Sequence, residues 1–208
     1  MQTAPGRDVV VVAASAGGVE ALMRLVAGLP AGLPAAVLVV LHVPATGGHA
    51  LPRILDRAGV LPAAVAVDGA QLENGRIYVA PPDHHLLVKD HAIHVSAGPR
   101  YHGHRPAADP LLVSAAKAAG ARVLAVVLSG TLDDGAAGCA AVVKAGGIVA
   151  VQEPCECAYD GMPRATLNAV PTAARVPVAR LGAYIDRQSR REAGDDSSRD
   201  ESSRTGRG

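Results

Sequence analysis

The chain has no tryptophan and no phenylalanine, and only four tyrosines among its 208 residues. A core without that aromatic bulk has to be closed by Ala, Val and Leu, which suits helices lying close on a sheet and not an aromatic-rich β-sandwich. Stacking of bases on aromatic platforms is not a function this composition serves. Charge of one sign is lacking as well: the formal net charge is +1, so there is no excess of basic residues to hold nucleic acid. Three cysteines, at 139, 155 and 157, are too few for a disulfide framework, and a reducing, cytoplasmic setting is expected. Pro and Gly interrupt every long apolar run, so nothing approaches the ~20 residues of a membrane span and no membrane insertion is expected. The opening residues show no basic segment followed by an apolar one, and Val9–Ala14 is too short for a signal core.

What is present is an alternation of short apolar runs with amphipathic segments. "DVVVVAA" (8–14) reads as a strand buried on both faces and "AAVLVVLH" (35–42) as a second buried strand, and "AAVAV" (63–67), "RVLAVVLSG" (122–130) and "IVAVQE" (148–153) read as further strands. Between and after them, 18–29, 50–58, 108–120, 136–147, 162–170 and a segment starting near Arg180 read as helices. "RIYVAP" (76–81), "HLLVKD" (85–90) and "AIHVS" (92–96) are short and closely spaced, which predicts an antiparallel insertion. The rhythm is that of a three-layer α/β/α domain with a mainly parallel, doubly wound sheet and a small antiparallel hairpin. From Arg187 the sequence mixes both charges with Ser and Gly and offers no apolar face. One domain over 1–186 and a disordered polar tail over 187–208 are therefore expected.

In such a fold chemistry gathers at the carboxyl ends of the strands. Ser15 stands at one of them, in "AASAGG" (13–18), where a strand turns into a helix. The spacing fits neither G-x-G-x-x-G nor G-x-x-x-x-G-K-[ST], which sets aside a phosphate loop. Two readings remain: a nucleophile elbow, since A-A-S-A-G copies the spacing of G-x-S-x-G, or a helix N-cap. His42 ends the second strand and Asp134, in "LSGTLDDGAAG" (128–138), follows another. Serine, histidine and an acid at three strand ends are the set a serine hydrolase needs, although the order Ser–His–Asp is not that of the α/β-hydrolases. "HGH" at 102–104 lacks a carboxylate or cysteine at ligand spacing, so no metal site is expected. Cys155 and Cys157 are too close for a thioredoxin-type pair and read as reduced loop cysteines. Arg105 and Arg164 suit surface ion pairs or contact with an acidic substrate.

Six segments in order resemble the catalytic domain of the chemotaxis protein-glutamate methylesterase (CheB) family: "AASAGGVEAL", "LHVP", "YVAPPDHHLLV" (78–88), "HRPAADPLLVSAA" (104–116), "LSGTLDDGAAG" and "QEPCECAYDGMPRA" (152–165). The resemblance spans roughly 8–186. It implies Ser15 as nucleophile, His42 as base and Asp134, not Asp133, as orienting acid, with oxyanion donors near Ala16 and Thr131. It implies hydrolysis of glutamate methyl esters on chemoreceptor cytoplasmic helices or another methylated protein, glutamine deamidation in some members, and no metal or organic cofactor. The sequence departs from the family at Ala16, where Thr is common, at Leu41 in place of Gln, and at Thr131–Leu132 in place of Met–Gly. Chemotaxis enzymes of this type carry an N-terminal receiver domain, and a standalone catalytic domain is expected here, so that it is constitutively active, controlled by a separate regulatory protein, or directed at a substrate that is not a chemoreceptor. A binding module on the same scaffold, or an esterase of other substrates, is the alternative.

Overall fold

The computed structural model describes residues 6–42 and 50–190. The valine run forms β1 (Val9–Ala14), all six residues of which are buried. Val9, Val11 and Ala13 enter one core cluster and Val10, Val12 and Ala14 the other, as a strand covered on both faces requires. The chain continues through α1 (Gly18–Ala27), β2 (Ala36–Leu41), α2 (Leu51–Ala58), β3 (Ala63–Val65), β4 (Ile77–Val79), β5 (His85–Lys89) and β6 (Ala92–Ser96). It then runs through α3 (Ala108–Ala119), β7 (Val123–Val127), α4 (Ala136–Lys144), β8 (Ile148–Gln152), α5 (Gly161–Ala169), β9 (Ala174–Val176) and α6 (Val178–Arg190).

Seven strands form one parallel sheet in the order β3-β4-β2-β1-β7-β8-β9, and β5 and β6 pair as a separate antiparallel hairpin. Helices α3, α4 and α5 and the hairpin cover one face, and α1, α2 and α6 the other. Leu22, Leu25, Leu111 and Leu112 are fully buried between layers, each contributing about 1.5–3 kcal/mol by its removal from water. The expected three-layer architecture is the one observed. The chain works outward from β1 on one side and returns to β7 on the other, so the topological switch falls between those two strands.

Three local expectations need correction. Segment 76–81 does not belong to the antiparallel insertion: β4 lies in the main sheet, parallel to β2 and β3. Its three residues are all buried, a run too short to show which kind of pairing it makes. The segment 63–67 is a strand only over Ala63–Val65, at the edge of the sheet, with Ala64 and Val65 exposed. Helix α6 carries through Arg187 to Arg190 with Gln188 and Ser189 buried, so residues 187–190 are helical and not tail; the rest of the expected tail lies outside the described residues.

Helices α1 and α6 meet where Gly28 faces Gly182. A Cβ on Gly182 would stand 2.3 Å from the Gly28 carbonyl carbon and oxygen, which are backbone atoms that cannot swing away. Gly182→Ala is expected to lower stability by about 1–2 kcal/mol net, because overpacking outweighs the ~1 kcal/mol alanine contributes inside a helix. An unchanged denaturant midpoint would show that the two helices part freely.

Candidate active site

The backbone ladder brings the strand ends together. Ala14 pairs with Leu41, so Ser15 and His42 are the next residues on adjacent strands, and the His42 N–H donates to the Ala14 carbonyl at 3.1 Å. On the other side of β1 the Ser15 N–H donates to the Ser129 carbonyl at 3.0 Å. Ser15 is partly exposed at this edge. It is not the cap of α1: the N-cap is Gly17, whose φ of +71° is left-handed and whose position has no side-chain cap bond. Nor does Ser15 itself adopt a left-handed backbone. The turn thus copies the spacing of a nucleophile elbow without placing the unusual dihedral on the serine, and glycine supplies it two residues later.

His42 and Asp134 are in direct contact, Nε2 to Oδ2 at 2.6 Å, with both side chains nearly buried. An ionised carboxylate only accepts, so the shared proton belongs on Nε2 and the Nδ1 lone pair is left for chemistry. Among the described residues neither His42 Nδ1 nor Ser15 Oγ has a hydrogen-bond partner, and the two are not bonded to each other. The N–H groups of Ala16 and Thr131 likewise meet no acceptor among the described residues. Asp133 is exposed, whereas Asp134 beside it is buried.

Asp134 also has a structural task that its sequence position hides. Its Oδ2 accepts from the Ala108 N–H at 2.6 Å and its Oδ1 from the Asp109 N–H at 3.0 Å, satisfying donors at the start of α3. Asp109 in turn accepts from the Gly138 N–H at 2.6 Å at the start of α4. The N-caps of these helices, Ala107 and Gly135, make no side-chain cap bond of their own. Each helix is therefore capped by an acid brought from the other helix's start. Burial works against the Asp134 charge, but the His42 hydrogen bond and the two N–H donors outweigh it and hold the carboxyl below its ordinary value. For Asp109 burial prevails over the Gly138 donor and Asp134 adds repulsion, so its carboxyl is raised.

A pH dependence follows. With its folded value below the unfolded one near 3.8, Asp134 contributes stability that is fully present above about pH 4 and lost as pH falls through the folded value. Asp109, raised, has the opposite sign, its protonation favouring the folded state. Thermal melts from pH 7 to pH 3 are expected to show a fall at the acid end that is shallower in Asp134→Asn. Equal slopes in the two proteins would remove Asp134 as its source.

Several contributors were not evident from the sequence. Ser129 Oγ donates to the Ala16 carbonyl at 2.8 Å and accepts from the Tyr159 N–H at 3.0 Å, while the Ser129 N–H donates to Gln152 at 3.0 Å. These bonds tie the serine loop to the segment before α5. His104 lies flat on His42, with ring centroids 4.2 Å apart and planes 3° from parallel. Its imidazole is held below the ordinary value, first by burial and then by its neighbour His42. A serine or histidine at a strand or loop end was the only sequence signal for either.

The other polar residues make their contacts away from Ser15, His42 and Asp134. His85 is buried and bonds the Pro99 carbonyl at 3.0 Å. Arg105 pairs with Asp83 and Arg164 with Asp160, both within the protein. Burial pushes the Cys157 thiol up to about 11 and raises Cys139 further, so neither is poised as a nucleophile. Among the described residues no group of three or more His, Cys, Asp or Glu is arranged to hold a metal ion, and no helix is long and apolar enough to cross a membrane.

The family model described as CheB methylesterase matches residues 10–185. A "protein-glutamate methylesterase/protein-glutamine glutaminase 3" from Anaeromyxobacter dehalogenans is 48% identical over 164 residues, covering 77% of this chain and 48% of that protein. A second such protein, from Caulobacter vibrioides, is 39% identical over 188 residues, covering 88% of this chain and 54% of its own length. The chain thus spans about half the length of these curated relatives. The crystal structure of the Thermotoga maritima CheB methylesterase catalytic domain superposes with a TM-score of 0.82 at 28% identity, covering 86% of this chain and 97% of that one.

Proposed function

Because the chain belongs to the CheB methylesterase family, we propose that it hydrolyses methyl esters of glutamate side chains on a protein, through Ser15, His42 and Asp134. The observation that carries this reading is the buried His42–Asp134 bond one strand away from Ser15. His42 Nδ1 takes the proton of Ser15 Oγ as the oxygen attacks the ester carbonyl. Asp134 holds the imidazole in the Nε2–H tautomer and stabilises the imidazolium that forms. The developing oxyanion is assigned to the N–H groups of Ala16 and Thr131, which meet no acceptor among the described residues. Collapse of the tetrahedral species, with a proton returned from His42 to the leaving oxygen, releases methanol and leaves Ser15 acylated. Water deprotonated by His42 then frees the glutamate carboxylate.

The same cycle with an ammonia leaving group is glutamine deamidation, which the relatives' names include. A methylated helix of a chemoreceptor is the substrate that fits the family, with a separate regulatory protein and a cytoplasmic setting as parts of the same reading. A fluorophosphonate probe followed by peptide mapping tests the nucleophile. An adduct on Ser15 that disappears in His42→Ala is expected. A folded protein that gives no adduct would make this a binding domain.

A further inference from the structure

We propose that His104 is a positioning residue for the reaction: its ring, lying flat on His42, holds the imidazole in the plane in which Nε2 meets Asp134. This role rests on the hydrolase reading and names the group that keeps its base oriented.

A catalytic group has to be held within about 0.5 Å and 10–20° of its working geometry. The bonds of His42 leave one freedom open. Its backbone is pinned by the bond to Ala14, and one edge of its ring by the 2.6 Å bond between Nε2 and Asp134. Nδ1 has no partner among the described residues. A single in-plane bond fixes the direction of an edge, but the ring can still roll about it and carry Nδ1 away from Ser15. A contact on the face of the ring stops that roll. His104 supplies it, with ring centroids 4.2 Å apart and planes 3° from parallel.

The segment that carries His104 is itself held. The His104 N–H donates to the Tyr101 carbonyl at 2.8 Å, and the Tyr101 N–H donates back to the His104 carbonyl at 3.0 Å, closing a tight turn. Arg105, the next residue, donates to the carbonyls of Ala97 and Gly98 at 2.7 and 2.8 Å and pairs with Asp83. A little further on, the Ala108 N–H donates to Asp134. One short stretch therefore fixes both the face of the base and its carboxylate. The His104 ring has no hydrogen-bond partner among the described residues, so it serves no turn or cap of its own. Burial and then His42 hold this ring below the ordinary histidine value, with His102 and Arg100 adding to the effect and Asp134 opposing it. It is uncharged at neutral pH, and the imidazolium that forms on His42 meets no second cation across the stack.

The test compares His104→Ala, His104→Leu and His104→Phe with wild type by methanol release from a synthetic helical peptide carrying one γ-methyl glutamate. Alanine removes the contact, leucine fills the space without a plane, and phenylalanine restores a flat ring that takes no proton. In the alanine and leucine variants kcat is expected to fall about 10–100-fold with KM within about twofold, the effect of misplacing a catalytic group. The phenylalanine variant is expected to stay within about threefold of wild type. Circular dichroism and melting report the fold of each, and the leucine–phenylalanine comparison decides even where alanine loosens the turn. An alanine variant with wild-type kcat, a leucine variant as active as phenylalanine, or a phenylalanine variant as slow as alanine overturns the role of the ring plane. A loss carried by KM overturns it too, by placing His104 against the substrate. A wild-type protein that releases no methanol overturns the hydrolase reading, and this role with it.

Discussion

Ser15→Ala is expected to leave a fully folded protein whose turnover of a methyl ester is lower by about 10⁶-fold. The rate follows from the role: without Oγ no acyl-enzyme forms, and what remains is the oxyanion site acting on water. The intact fold follows from the surroundings. Ser15 is partly exposed, its backbone bonds to Ser129 and Gly18 do not use the side chain, and its Oγ satisfies no other group among the described residues. The melting temperature separates this from the helix-cap reading, since loss of a serine cap costs about 1 kcal/mol, about 2–4 °C for a domain of this size. An unchanged melt with a lost rate assigns the residue to chemistry. A rate within tenfold of wild type would take Ser15 out of the mechanism, whatever the melt shows.

Those three strand ends were legible because the sequence marks them strongly. β1, β2 and β7 are continuous apolar runs, and the first polar residues after β1 and β2 are Ser15 and His42, whereas after β7 Ser129, Thr131 and Asp133 come before Asp134, which only the family resemblance singled out. Strand order was not needed to see that such residues share one edge. The shortest elements were harder. β4 has three buried residues and no period, so its place between β3 and β2 depends on the hydrogen-bond ladder and not on its own pattern. Whether Ser15 caps α1 turned on a dihedral, and φ at Gly17 is a property of the folded turn. Ring contact between His42 and His104 and the trans-capping of α3 by Asp134 join residues 62 and 26 positions apart, respectively; local spacing carries no trace of either.

Asp134→Asn is the variant in which these layers meet, and it is expected to lose both rate and stability. An amide can donate where the carboxylate only accepts. Placed at 2.6 Å from His42 Nε2, it favours the tautomer with the proton on Nδ1, the nitrogen needed to receive the Ser15 proton. The expected loss is about 10⁴-fold in kcat, the size found when a triad aspartate is replaced in this way. The same Oδ2 also accepts the Ala108 N–H at 2.6 Å, so an amide nitrogen there would face a second donor with nothing to accept it. Turning the amide over restores one acceptor only by moving the conflict to the Asp109 N–H. Either way one donor at the start of α3 is left unpaired in a buried place, at a cost of about 1–3 kcal/mol. Activity and melting temperature measured on one preparation distinguish the two roles. A lost rate with an unchanged melt would mean that α3 is capped without Asp134. A lowered melt with a retained rate would mean that His42 needs no carboxylate to set its tautomer, and the triad would reduce to a pair.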